Sequence, residues 1–212
     1  MIHIDCEQYS DTWWQSRLGI ATASMFDKIL TPANLKPSRS AYGYQMKLLG
    51  EFLRGKPDET FQSEWMNRGH EVEQEAREAY TLLTGSDVTT AGFCLEDGGR
   101  YGCSPDGLVE GGSLQVKCPS PGVHVGYLLS GGIPTTYRLQ HLGELLVTGH
   151  EWIDFMSYHP DLDSLIVRLY RSEIKDELEI LHNALVAFHD VMETRKRELI
   201  GKGHRPIERE AA

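Results

Sequence analysis

The stretch SPDGLVEGGSLQVKCP, residues 104–119, sets an acid, Asp106, nine positions before Gln115 and eleven before Lys117. With SLQVK running as a strand, Gln115 and Lys117 leave the same face, because side chains alternate along extended backbone. A tight turn at EGG folds the preceding strand back and carries Asp106 beside them. Such a cluster points to metal-assisted phosphodiester hydrolysis. In that chemistry carboxylates hold one or two Mg2+ ions, which polarise the phosphate and lower the pKa of the attacking water. A lysine alongside holds that water or steadies charge in the transition state, and Lys117 fits this role. The plainer reading of the same letters is that Asp106 caps the PDG turn and Lys117 snorkels at an edge.

A cage for a divalent cation calls for a further carboxylate from a neighbouring helix, and Glu73 is the candidate. In RGHEVEQEAREAY, Glu71, Glu75 and Glu78 fall near one stripe, while Glu73 lies about half a turn away, beside the apolar stripe of Val72, Ala76 and Tyr80. An acid flanking a buried face needs a partner: a cation, a metal or a basic side chain.

The elements that must position these groups emerge from periodicity and punctuation. Residues 10–18 read as a short helix stopped at Gly19, and TASMFDKIL as another with Thr22 or Ser24 as its N-cap. The segment TPANLKPSRS reads as a basic, proline-punctuated loop. Helical spacing covers residues 40–54 and 61–83; residues 86–118 read as a three-stranded antiparallel meander; 121–130 and 134–149 read as helices. Two strands then precede a long helix over 172–199, leaving 201–212 as a loose tail. The expected architecture is a mixed α/β core with a helical N-terminal layer, in a single domain of 212 residues.

Composition narrows the class. No apolar run approaches the roughly 18–20 residues of a membrane span, and MIHIDCEQYS has no signal pattern, so a cytoplasmic protein is expected. Cys6, Cys94, Cys103 and Cys118 lack CxxC spacing and read as reduced packing residues. The net charge of −10 would argue against nucleic acid, were acids not able to gather at a metal site while basic residues line a groove.

Taken together, CSPDGL followed by LQVKCP resembles the PD-(D/E)XK nuclease signature in the form used by the phage lambda exonuclease and YqaJ-type viral recombinase family. RLGIATAS, RGHEVEQEA and YRLQHLGELLVTGH resemble that family's other blocks, in its order, across roughly residues 10–160. The resemblance implies a restriction-endonuclease-like core and a 5′-to-3′ exonuclease on double-stranded DNA ends that leaves 3′ single-stranded tails for recombination. It implies dependence on Mg2+, with Mn2+ as a substitute, a trimeric ring around the substrate and a single-strand annealing protein as partner, inside a bacterial or phage-infected cell. Position by position, it makes Asp106, Gln115, Glu73 and Val116 the metal positions, Lys117 the catalytic lysine, and Gln140 the glutamine of the later block. Arg17 and Ser24 match residues that hold the terminal 5′-phosphate, for which a guanidinium fork and a hydroxyl at a helix start are suited.

Gln115 departs from the family pattern, which has Glu there. The exchange is nearly isosteric, so fold and groove are expected to persist, but one negative charge is lost and one carbonyl oxygen remains for a hard cation. The expected consequence is cleavage slowed by roughly 10²–10⁴-fold. Because the other positions are intact, Gln115 reads as a replacement introduced at a Glu position, a natural Gln being the alternative. A non-cleaving protein that binds DNA ends on the same fold is the rival function, and a scaffold for a recombination partner is a third. Trp13 and Trp14 read as core anchors ahead of stacking groups, and Met66 as a packing residue ahead of a strand-separating wedge. His124, His141 and His150 lack ligand spacing, and the basic run ETRKRELIGKGHR reads as a solvated helix end.

Overall fold

The computed structural model describes residues 1–57 and 64–207, with side chains described outside 58–71 and 208–212. Met66, the candidate packing residue or wedge, lies outside the described side chains. A three-residue strand β1 (Ile2–Ile4) precedes helix α1 (Asp11–Arg17), which begins where the Ser10 hydroxyl accepts the Trp13 N–H at 3.3 Å. Strand β2 (Ala21–Thr22) comes next, then a 3-10 helix over Ala23–Lys28, helix α2 (Ala41–Arg54) and helix α3 (Glu64–Thr84). Strands β3 (Phe93–Leu95), β4 (Tyr101–Cys103), β5 (Gly107–Val109) and β6 (Gly112–Lys117) succeed them. Helices α4 (Pro121–Ser130) and α5 (Arg138–Thr148) cross to β7 (Trp152–Ser157), and β8 (Leu165–Tyr170) leads into the long α6 (Lys175–Gly201).

Residues 86–118 do not form one meander. They divide into two hairpins that belong to different sheets, one ordered β1-β3-β4-β2 and the other β5-β6-β7-β8. The chain leaves the first sheet after Cys103 and enters the second at Gly107, so Ser104, Pro105 and Asp106 form the crossing. Proline lacks the N–H that a ladder needs, which suits it to such a break. The segment 22–29 differs as well. Thr22 does not cap a helix through its side chain: its backbone pairs with Gly102 in a parallel β2–β4 ladder, its N–H donates to the Tyr44 hydroxyl at 3.2 Å, and the turns after it are 3-10.

Strand β6 pairs antiparallel with β5 and parallel with β7, and α4 and α5 make the crossover that a parallel pair requires. Gly111, at φ +75°, takes the left-handed turn between β5 and β6. Helix α5 is buried along most of its length and touches strands of both sheets. Its Gly143 lies so near Phe26 that a Cβ there would meet the ring at 2.5 Å, which packs α5 against the 3-10 helix. Leu139, Leu142 and Leu145 join Phe26, Tyr101 and Leu181 in the larger apolar cluster, while Leu114, Val116 and Met156 pack with Ala76 and Tyr80 of α3 in the smaller. The basic end of α6 is engaged at Arg195, which donates to Gln45 Oε1 on α2, and at Lys196, which pairs with Glu193. Among the described residues no helix is long and apolar enough to cross a membrane.

Candidate active site

Alternation along β6 separates two environments. Leu114 and Val116 face the smaller core cluster, and Gln115 and Lys117 face the opposite side, where a cleft of about 200 Å3 opens. The β5–β6 hairpin brings in Asp106, as its register predicts. The Asp106 carboxylate is fixed from β6: Oδ2 accepts the Val116 N–H at 2.7 Å and the Gln115 Nε2–H, and Lys117 Nζ stands 4.0 Å away. Val116 thus serves this site through its backbone, its side chain being core. Burial raises the Asp106 carboxyl to about 7, with Lys117 opposing that rise and the charge of Glu73 adding to it.

Glu73 comes only to the margin of this group. It pairs with Arg77 one turn on in α3, at 2.5 Å, and Arg77 also donates to the Asp106 carbonyl at 3.3 Å. The two line an adjoining cleft on another side of Asp106, together with Gln8 and Tyr9. The partner that the sequence required for this acid is, in this structure, a basic side chain.

Gln140 enters the cleft from α5, and Glu144 enters one turn later on the same helix face. Gln140 Nε2 donates to Glu144 Oε1 at 3.2 Å. Glu144 is fully buried, and burial together with the nearby Asp106 pushes its carboxyl well above the usual range, with Lys117 opposing. Its other oxygen, Oε2, has no hydrogen-bond partner among the described residues; neither has Gln115 Oε1. Buried polar atoms left bare in this way are uncommon and call for a ligand, an ion or ordered water. Among the described residues no three His, Cys, Asp or Glu side chains form a ready metal set. The donors that converge on this cleft are instead two carboxylates and a carboxamide oxygen, hard oxygen donors suited to Mg2+ or Mn2+.

Arg17 and Ser24, expected to work together, both line the same cleft. The Arg17 guanidinium lies over the Trp13 ring at 3.9 Å and donates to Ser104 Oγ at 3.0 Å; the Trp13 indole N–H donates to the same oxygen at 2.9 Å. Trp13 is therefore both core anchor and floor of the site, and Trp14 lines the neighbouring cleft with Tyr44 and Lys47. The histidines have other engagements: His124 bridges Ser157 and the Asp163 carbonyl, His141 bonds the Tyr137 carbonyl, and His150 meets Ser113.

Ser104 and Glu144 are not singled out by sequence pattern alone. Ser104 becomes visible only when the two hairpins part company. Glu144 carries a signal, an acid between Leu142 and Leu145 on an apolar helix and four residues from Gln140, the same argument that distinguishes Glu73.

Comparison with solved structures places the fold. The alkaline exonuclease LHK-Exo from Laribacter hongkongensis superposes with a TM-score of 0.75 at 29% identity, covering 91% of this chain and 99% of that one. The same protein in complex with dAMP gives the same values. A phage-related exonuclease from Haemophilus somnus 129PT shares the fold at 14% identity, with a TM-score of 0.62, covering 83% of this chain and 96% of its own. No curated protein matches. The YqaJ-like viral recombinase domain matches residues 12–151, around Arg17, Asp106, Lys117 and Gln140, and the chain belongs to that family.

Proposed function

We propose that this protein is a Mg2+-dependent exonuclease that digests linear double-stranded DNA from 5′ ends and leaves 3′ tails for recombination. The observation that carries this reading is the convergence of Asp106, Gln115, Lys117 and Gln140 with Arg17 and Ser24 around one cleft. Asp106 and the Gln115 carbonyl would hold the cation, with Glu73 available from α3 and Val116 contributing backbone. Mg2+, when bound, supplies Lewis acidity at the phosphate and a water that deprotonates easily; Mn2+ substitutes.

The remaining work falls to the chain's own groups. Lys117 offers an ammonium beside Asp106 for the attacking water or for transition-state charge. Arg17, stacked on Trp13, offers its guanidinium to the terminal 5′-phosphate, and Ser24 adds a hydroxyl. The related LHK-Exo has been solved in complex with dAMP, a mononucleotide, which supports mononucleotide products for this chain. Family membership supports a ring of three copies around the duplex and a single-strand annealing partner. Light scattering at working concentration checks the ring, and a monomer would sink it.

Gln115 in place of a carboxylate lowers the rate on this reading. A specific contact also supports the rival reading, a protein that holds DNA ends without cutting: the Gln115 amide donates to Asp106 and so occupies a carboxylate oxygen that would hold a cation. Digestion of linear duplex with and without a 5′-phosphate, in Mg2+, decides between them. Release of nucleotides, faster from phosphorylated ends and faster still for Gln115→Glu, supports the exonuclease; retention of ends with no product from either form supports the binder.

A further inference from the structure

The residue at 115 is neutral, yet the cleft does not lack a second carboxylate. Glu144 reaches it from α5 with complete burial, one oxygen tied to Gln140 and the other bare among the described residues. The carbonyl oxygen of Gln115, which lines the same cleft, is in the same condition among the described residues. Two buried orphan oxygens, on residues lining the cleft that Asp106 and Lys117 also line, would suit a hard cation. With no partner for half its carboxylate among the described residues, this helix-borne acid has no account in packing: a Leu or Gln would fill the same position at lower desolvation cost.

We infer that Glu144 supplies the negative charge that position 115 lacks, so that Asp106, Glu144 and the Gln115 carbonyl oxygen would together hold the cation. The acid has changed elements, from strand β6 to helix α5, while the cleft it serves is the same. Gln140 then has a defined task as a positioning residue: its amide holds Glu144 Oε1 and leaves Oε2 free for the ion. This rests on the exonuclease reading for the purpose of the site, though the binding it asserts is measured without DNA.

The test is calorimetric titration of the full chain with Mn2+ near pH 8, in three forms: unaltered, Glu144→Gln, and Glu144→Gln combined with Gln115→Glu. Losing a ligand is expected to weaken binding in Glu144→Gln by at least roughly 10- to 100-fold, the loss typical of residues that only orient a ligand. The double form, with the acid returned to the strand, is expected to recover it. Melting in chelator shows that each form is folded; Glu144→Asp, which withdraws the carboxylate by one methylene, serves if the amide disrupts the helix. Equal Mn2+ affinity for the unaltered chain and Glu144→Gln overturns the inference, as does loss that the double form does not recover. Digestion of duplex by the same samples separates the two readings. Binding that depends on Glu144 with no product from any form supports the inference and overturns the exonuclease, whereas product from an unaltered chain indifferent to Glu144 does the reverse.

Discussion

Asp154 on the second sheet, Asp106 at the crossing that leads into it and Glu144 on the helix above are treated very differently. Asp154 on β7 is saturated: Arg168 donates to both of its oxygens at 2.8 and 2.9 Å, and the Tyr80 hydroxyl adds a third bond at 2.7 Å. Arg168 is itself stacked on Trp152 at 3.4 Å, and its pKa is raised by Asp154. Asp106 and Glu144 have instead one lysine that opposes both of their raised pKa values, and among the described residues an oxygen of Glu144 has no partner. Satisfied polar groups fix a fold; unsatisfied ones store capacity for a ligand. Asp154 and Glu144 are equally buried, so it is their partners and not their burial that tell a saturated acid from one with capacity for a ligand.

Breaking the structural arm gives the largest effect. Arg168→Ala leaves Asp154 buried with only Tyr80, and unfolding in urea is expected to show a loss of about 3–5 kcal/mol. The cleft groups are not touched by that change, so digestion per folded molecule is expected to be unaltered. Lys117→Ala is the mirror image. Removing a donor aimed at developing charge costs roughly 10²–10³ in rate, about 3–4 kcal/mol, while the urea midpoint moves little. If Lys117→Ala unfolds the chain and Arg168→Ala abolishes catalysis in folded protein, the division of labour is wrong.

Much of this division is legible in the sequence. The β5–β6 hairpin and its alternation can be read from residues 104–119, and Asp106, Gln115 and Lys117 come together as their spacing demands. Arg17 and Ser24 also line that cleft. The unreadable part is long-range. That β3–β4 and β5–β6 belong to separate sheets depends on β1 and β2 pairing across some ninety and eighty residues, contacts that no local pattern encodes. For the same reason Ser104, at the crossing, looks in sequence like an ordinary turn residue. Glu73 reads correctly as an acid needing a partner, but the sequence leaves open which one, and Arg77, one turn away, answers locally.

The functional arm is also expected to show its cost to folding. With its carboxyl raised to about 7 from an ordinary 3.8, Asp106 binds a proton more readily folded than unfolded. Stability of the metal-free protein from this group is therefore full below about pH 4, falls as pH rises through 7, and is flat above. Asp106→Asn has no such slope. Melting in chelator is expected to show the variant several degrees more stable than the unaltered chain at pH 8, and the gap should shrink by pH 5. A gap of constant size would mean that the variant acts through packing and not through charge. Activity moves the opposite way, since Asn offers the cation no charge.

The smallest effect sharpens the comparison at its edge. Ser104 Oγ takes hydrogen bonds from both Trp13 and Arg17, so it sets the angle at which the guanidinium faces the cleft. Ser104→Ala removes the Arg17 bond to Ser104, and with it about 1 kcal/mol of orientation, the central value for a net hydrogen bond. It leaves the stacking of Arg17 on Trp13 in place. The expected result is a roughly fivefold smaller preference for phosphorylated over unphosphorylated 5′ ends, at nearly constant rate on the unphosphorylated duplex. An equal fall on both substrates would show instead that Ser104 supports Asp106 two residues on, and that the crossing between the sheets, not the phosphate contact, is what this serine maintains.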